Sequence, residues 1–389
     1  MLKFMQTFLA AKVNAIGIDF GSESLRMAQI QVTDGEPHLI AAASVSIPLG
    51  VRKDPAVKLQ FLTDSCRSLY TKGGFIGKRA VLALPASSIY VQHIRLPKMD
   101  EDSLRKALPW EVRGKIPMDP AQAMIRHITA GDFVQDQEAK LEVILLAARR
   151  DAIDQILKAA EAAKLDVVNL QPESKAILDC FRGIFRRKPE AELTTLYIDI
   201  GFSGTRVLAA YGEQILFLRH IPIGGDQFNY AASVVLKVPA HQARQRRIDD
   251  AENADGADGA DGDDPAHDGF DPNMDPMSAK RQAERAMIEE ACREPLERLN
   301  SELELCRRYH EATFPNRPIE LIIFVGGEAR QRTLCQQIAR RLGIAAQLGD
   351  PMVRLGRISK IREGCGLDLN RAQPDWAVAI GLSMGSTAE

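Results

Sequence analysis

Apolar positions along this chain follow two periods, and each switch between them marks a new element. Runs at 13–20, 25–32 and 38–47 predict three antiparallel strands, followed by a helix from about 55 to 72. Val81-Leu-Ala-Leu84 reads as a buried strand, and Ile89 to Leu96 alternates like a half-buried one. Asp100 is placed to N-cap a helix running to Lys115, kinked by Pro109. Glu142 to Ala147 predicts a strand, Asp151 to Ala163 an amphipathic helix, and Val167 to Leu170 a short strand, completing a β-α-β-α-β module. After a helix over 172–186 the opening pattern restarts, with strands at 194–200, 205–211 and 214–221 and a helix from Asp226. A long helix, Ala279 to Thr313, precedes the buried strand Leu321-Ile-Ile-Phe-Val325, which ends in Gly326-Gly327. Helices at 330–342 and from Trp376 to Met384 close the chain. Three strands and a helix, written twice, predict an α/β architecture of two similar halves.

The halves share a loop. The first reads Gly17-Ile18-Asp19-Phe20-Gly21-Ser22-Glu23-Ser24-Leu25-Arg26, the second Tyr197-Ile198-Asp199-Ile200-Gly201-Phe202-Ser203-Gly204-Thr205-Arg206. Each is a β-hairpin whose tip permits close backbone approach. One such turn is common; two in matching contexts predict one ligand gripped between the halves.

Composition narrows the class. No stretch approaches the ~18 apolar residues that span a bilayer. The N-terminus lacks the plan of a signal peptide, so residues 1–12 read as a frayed arm, or as a weak amphipathic contact with a membrane or partner. Cysteines at 66, 180, 292, 306, 335 and 365 form no C-x-x-C pair, which argues against structural zinc and a disulfide framework. The net charge of -2 hides a partition: residues 249–276 hold ten Asp and one Glu, and without them 50 basic residues face 41 acidic ones. That acidic stretch repeats Ala-Asp-Gly and is too poor in apolar residues to offset the entropy of ordering, so 249–277 reads as an inserted disordered loop.

A triphosphate between two hairpins needs backbone N–H groups unobstructed by a Cβ, which Gly21 and Gly201 provide, and small hydroxyls, which Ser22, Ser24, Ser203 and Thr205 provide. Asp19 and Asp199 supply one carboxylate from each half for Mg²⁺, held through water because the ion dehydrates reluctantly. Gly326-Gly327 offers a nucleoside a glycine backbone and a helix N-terminus. Arg330 beyond it either stacks on adenine or is a solvated helix arginine. Gln171, ending the strand that links the halves, either orients an attacking water or caps the next helix. Other site classes fail. Gly74-Phe-Ile-Gly77-Lys78-Arg79 has the wrong spacing for a P-loop, and there is no Gly-x-Ser-x-Gly or His-Glu-x-x-His. Basic runs such as Arg354 to Arg362 lack aromatic interleaving, so no nucleic acid is expected.

These loops, in this order, resemble the actin-like ATPase superfamily, and most closely the PilM family of type IV pilus assembly. They are also similar to FtsA and to the cytoplasmic part of GspL from type II secretion. Gly17-Ile-Asp19-Phe-Gly21-Ser22 resembles a phosphate-1 loop, Asp199-Ile-Gly201 with Thr205 a phosphate-2 loop, and Val325-Gly326-Gly327 an adenosine motif. Trp110-Glu-Val-Arg-Gly-Lys-Ile-Pro117, Ile221-Pro-Ile-Gly-Gly-Asp-Gln-Phe228 and Ala377-Val-Ala-Ile-Gly381-Leu are similar to PilM in particular. The resemblance implies an actin-like, ribonuclease H-like duplicated fold with an FtsA-like 1C insertion. Subdomain 1A is then 13–87 with 166–193 and 368–389, 1C is 88–165, 2A is 194–240 with 319–367, and 2B is 241–318. It implies ATP with Mg²⁺ between the lobes, contacted by Asp19, Gly21, Ser22, Ser24, Arg26, Asp199, Gly201, Thr205, Gly326, Gly327 and Arg330.

It further implies a scaffold on the cytoplasmic side of the inner membrane, docking the N-terminal peptide of a PilN-like single-pass membrane protein, with other platform proteins and self-association as further contacts. Phe202 is bulky for its loop, Glu328 puts a carboxylate near the phosphates, and Gln171 stands where many relatives carry an acid, which points to weak turnover or none. The alternatives are an active ATPase or sugar-type kinase of the same fold, or an FtsA-like filament protein.

Overall fold

The computed structural model describes residues 12–52, 54–135, 137–182, 193–257, 276–353, 355–357 and 366–386. Strands β1 (Lys12–Val13), β2 (Ile16–Phe20), β3 (Ser24–Thr33) and β4 (Glu36–Ser46) lead to helices α1 (Leu49–Arg52) and α2 (Pro55–Gly73). Then come β5 (Arg79–Leu84), β6 (Ile89–Pro97), α3 (Glu101–Glu111), β7 (Ala123–Gln135), β8 (Glu138–Arg149), α4 (Arg150–Ala162), β9 (Asp166–Pro172) and α5 (Glu173–Phe181). The second half holds β10 (Thr194–Ile200), β11 (Thr205–Tyr211), β12 (Gln214–Ile221), α6 (Gly225–Leu236), α7 (Ala240–Ala257) and α8 (Pro276–Thr313). It closes with β13 (Ile319–Val325), α9 (Arg332–Leu342), β14 (Ala346–Leu348), β15 (Gly356–Arg357) and α10 (Ala377–Gly385).

Local chemistry sets several boundaries. Asp54 accepts from the Ala56 and Val57 N–H groups at the start of α2, and Gly74 ends that helix at φ 79°. Asp100 N-caps α3 through the Ser103 N–H, as its position predicts.

The duplication is visible in the sheets. One has the order β15-β4-β3-β2-β5-β9, with β1 beside β3; the other is β12-β11-β10-β13-β14. In each, an antiparallel meander is extended by parallel strands, β5 beside β2 and β13 beside β10. The register repeats too: Asp19 lies opposite Arg26, and Asp199 opposite Arg206.

Alternation divides each sheet between two cores. Ile16, Ile18 and Phe20 face the α2 and α4 side, while Leu196, Ile198 and Ile200 pack with Leu299 and Leu303 of α8 and Ile338 of α9. Between the sheets a third core gathers Ile177 and Phe181 of α5, Val378 and Ile380 of α10, and Tyr197 and Leu208 of the second sheet. Close helix packing there needs glycine. A Cβ on Gly381 would stand 1.8 Å from the Ala176 carbonyl oxygen, and one on Gly17 2.1 Å from that of Ala379.

The inserted module differs from the expected β-α-β-α-β. It is an antiparallel sheet of order β6-β8-β7, and the strand at 166–172 belongs to the first large sheet. Strand β7 escaped the periodicity because its register shifts between Thr129 and Gly131. The module leans on the second half: buried Glu142 of β8 pairs with His93, Arg95 and the Tyr309 hydroxyl of α8. Helix α7 was also not foreseen; of its described side chains only Ala243 and Arg247 are buried, leaving no hydrophobic period. It takes in Asp249 to Ala257, which the sequence had assigned to the acidic loop. Residues 258–275 of that loop and 1–11 of the arm lie outside the described residues.

Candidate functional site

The two Asp-x-Gly hairpins face each other across one cleft. Asp19, Gly21, Ser22, Ser24 and Arg26 line it from the first half, and Asp199, Gly201, Phe202, Gly326 and Gly327 from the second. Glu173, Arg206, Glu328 and Asp375 are also in the wall of this cavity of about 50 Å³. The tips are tight. A Cβ on Gly21 would lie 2.7 Å from the Ser24 carbonyl oxygen, and one on Gly201 3.2 Å from an Arg206 guanidinium nitrogen. Gly326 takes φ 91°, and a Cβ there would stand 2.3 Å from Asp199 Oδ1. Gly327 instead has open space beside it.

Carboxylates and guanidinium groups interleave through the cleft. Arg206 reaches Asp199 Oδ2 at 2.7 Å and Glu173 Oε2 at 2.8 Å. That glutamate oxygen also accepts from the Ala86 N–H at 2.8 Å. Burial would weaken the charge on Arg206, but Asp199 and Glu173 outweigh it and hold the guanidinium pKa above its ordinary value. Asp19 is buried, with Oδ1 lacking a hydrogen-bond partner. Burial first, then the charge of Glu173, pushes its pKa up to about 7 against the pull of Arg26 and Arg206. Arg26 binds Asp375 at 2.5 Å and Arg330 binds the other oxygen of Asp375 at 2.8 Å. Burial opposes ionisation of Asp375, and the two arginines overcome it, holding its pKa below the usual carboxylate value.

Several expected roles change. Gln171 does not line the cleft; Glu173, two residues on at the start of α5, does. The Gln171 Nε2 is buried without a hydrogen-bond partner. Thr205 is fully buried and commits its hydroxyl to the Ile223 carbonyl oxygen at 2.7 Å. Arg330, a third of its side chain exposed, is tied to Asp375 and Gln373 rather than free to stack. Glu328 is no bare carboxylate: Arg247 meets it at 2.5 Å, both side chains buried, and binds Asn229 and Gln331 as well. Phe202 carries the Arg52 guanidinium 4.8 Å above its ring, so its bulk ties the second hairpin to α1 of the first half.

The Ile221 to Phe228 motif braces the second hairpin. A Cβ on Gly224 would fall 2.5 Å from the Gly201 carbonyl oxygen and 2.6 Å from the Gly204 nitrogen. A Cβ on Gly225 would fall 2.2 Å from Glu328 Oε1. The N–H groups of Gly225 and Asp226 donate to the Gly201 and Phe202 carbonyls at 3.0 and 2.8 Å. The two glycines thus seat the start of α6 between the hairpin tip and Glu328.

Comparison with known proteins agrees with this architecture. A family model described as type IV pilus assembly protein PilM matches residues 17–253, more than half of the chain. The chain belongs to the PilM family. Among solved structures, a PilM–PilN type IV pilus biogenesis complex aligns with a TM-score of 0.74 at 21% identity, covering 96% of this chain and 98% of that one. The ethanolamine utilization protein EutJ from Carboxydothermus hydrogenoformans aligns with a TM-score of 0.51 at 13% identity, covering 96% and 89%. At these identities the likeness speaks for the fold, which is the actin-like duplicated one. A comparison with curated protein sequences finds no match.

Within the PilM family match, the sequence had nominated Asp19 and Asp199 but passed over Glu173, Arg206 and Arg247; Asp375, which lies beyond it, was passed over as well. One signal was in plain view. Both hairpins place an arginine seven residues after the aspartate, Asp19 to Arg26 and Asp199 to Arg206. The other three are recruited from distant elements, and no spacing announces them.

Proposed function

We propose that this PilM family member is a nucleotide-binding scaffold of a type IV pilus assembly platform, working at the cytoplasmic face of the inner membrane. Its cleft takes a purine nucleoside di- or triphosphate, and its partner is the cytoplasmic N-terminal peptide of a PilN-like single-pass protein. The family match and the whole-length likeness to a PilM–PilN complex support the setting. No helix among the described residues is long and apolar enough to cross a membrane. Membrane attachment then runs through partners.

The observation that carries the nucleotide reading is the pair of glycine-tipped hairpins in matched register, converging with Gly326 and Gly327 on one cleft. Bare backbone at hairpin tips is what phosphate oxygens need. A second cavity of about 80 Å³, on the other side of the buried Arg247–Glu328 pair, has Phe228, Ile288 and Leu296 in its walls beside Arg285 and Gln337. Apolar walls with a few polar groups suit a nucleoside base. Pockets for ligands of this size span roughly 300–1,000 Å³, so the lobes part to admit one. Binding, not turnover, is the stronger reading. Gln171 lies off the cleft, and Glu173 already accepts from Arg206 and the Ala86 N–H, leaving it poorly placed to activate water.

Gly327→Val tests the reading. A Cβ there meets nothing within 4 Å in the folded protein, and Gly327 lines the cleft. The variant is expected to keep the wild-type unfolding midpoint and to lose at least about tenfold in affinity for a fluorescent ATP analogue, a difference of ~1.4 kcal/mol. Unchanged affinity would exclude this cleft as the nucleotide site.

A further inference from the structure

We propose that Arg206 is the resident cation of the phosphate site, so that this cleft binds a nucleoside di- or triphosphate without a divalent metal ion. The proposal rests on the nucleotide reading above and departs from the Mg²⁺ site that the family resemblance implies. Asp19 keeps Oδ1 without a partner, but on the Asp199 side the oxygens such an ion would use are already taken. Arg206 already joins Asp199 to Glu173, with guanidinium nitrogens 2.7 and 2.8 Å from their oxygens. Magnesium holds a near-octahedral shell at roughly 2.0–2.1 Å and keeps several waters. Asp199 Oδ2 and Glu173 Oε2 are thus already committed to a cation, and a dication brought beside them would be repelled by it. The second oxygen of Asp199 faces the Gly326 backbone, so closely that a Cβ there would stand 2.3 Å away.

Arg206 is suited to the task it inherits. Its charge is permanent, its planar donors match phosphate oxygens, and it lines the cleft with 21% of its side chain exposed overall. It stands across the lobe junction, coming from β11 and reaching Glu173 at the start of α5. Its counterpart Arg26, opposite Asp19 in the other hairpin, lines the same cleft with 18% of its side chain exposed. The duplicated fold therefore flanks the cleft with two arginines in equivalent register.

The test is nucleotide binding by the full chain, followed by calorimetry or a fluorescent ATP analogue, in excess Mg²⁺ and in excess EDTA. Wild-type affinity is expected to be the same in both to within about threefold, less than 1 kcal/mol. Arg206→Ala should lose roughly tenfold to a hundredfold in EDTA, the range for a charge-assisted hydrogen bond. Arg206→Lys, which keeps the charge and leaves no bare carboxylate pair, should recover part of that loss, and thermal unfolding checks that both variants fold. Wild-type binding that collapses in EDTA overturns the proposal and leaves the nucleotide reading standing. So does EDTA-resistant binding that survives in Arg206→Ala, since the cation is then another group. Absence of binding in both buffers overturns the nucleotide reading and this proposal with it.

Discussion

Asp19 shows how far the cleft is from an ordinary surface. Its carboxyl is buried beside Glu173 and Asp199, with Arg26 and Arg206 the balancing charges, and its pKa is pushed up to about 7 from 3.8. The folded protein thus holds a proton there that the unfolded chain releases near 3.8. Stability from this group is whole below that value, falls as pH rises, and is gone above about 7. A tenfold difference in proton affinity between the folded and unfolded chain corresponds to about 1.4 kcal/mol. Asp19→Asn cannot ionise, so it should match the wild type near pH 4 and exceed it at about pH 8, read as the urea midpoint. Parallel pH profiles for the two proteins would show that Asp19 does not titrate in this window. Glu328 illustrates the opposite lesson. As a sequence position it promised repulsion; in place, Arg247 neutralises it and the pair becomes part of the wall.

The hairpins and the helix start that braces them are one unit. Gly224 and Gly225 are required by what lies above them, the backbone of Gly201 to Gly204 and the carboxylate of Glu328. Gly224→Ala puts a methyl group against backbone that cannot move without shifting the hairpin. It should cost about 2 kcal/mol or more and weaken nucleotide binding in parallel, measured by denaturant unfolding and by titration. A variant as stable as the wild type would mean that the tip is looser than its contacts imply. Elements with a clear hydrophobic period, such as β10 to β12, were legible at nearly their true limits, because alternation reports burial directly. Strand β7 and helix α7 were not. One has a register shift at Gly131, and the other buries an alanine and an arginine where apolar residues would announce a helix.

Across the molecule, the inserted β6-β8-β7 sheet bridges the halves. It leaves the first half after β5 and returns through α4 and β9, yet its contacts reach the second. His93 Nε2 lies 3.0 Å from the Leu218 carbonyl oxygen, Gln214 donates to that of Ala130 at 2.8 Å, and Arg95 donates to the Thr313 hydroxyl at 3.1 Å. Glu142 sits at the centre of this contact, fully buried. Removing it leaves His93, Arg95 and Tyr309 without their shared acceptor. Glu142→Ala should lower the unfolding free energy by about 3 kcal/mol and speed amide exchange in β6, β7 and β12 together. Faster exchange confined to the module would show that it does not tie the lobes. Any motion that opens the cleft has to carry this sheet along or break its contact.

The repeated apolar pattern was enough to establish the duplicated α/β plan, the two hairpins and the aspartates at their tips, because strand period, glycine turns and carboxylates are local properties of the chain. What stands opposite those aspartates was settled only by the fold. Arg206 meets Glu173, Arg247 meets Glu328, and Asp375 joins Arg26 to Arg330, each across a long interval of sequence. Such pairings have no period, since they depend on where distant elements come to rest. They set arginines among the carboxylates of the cleft.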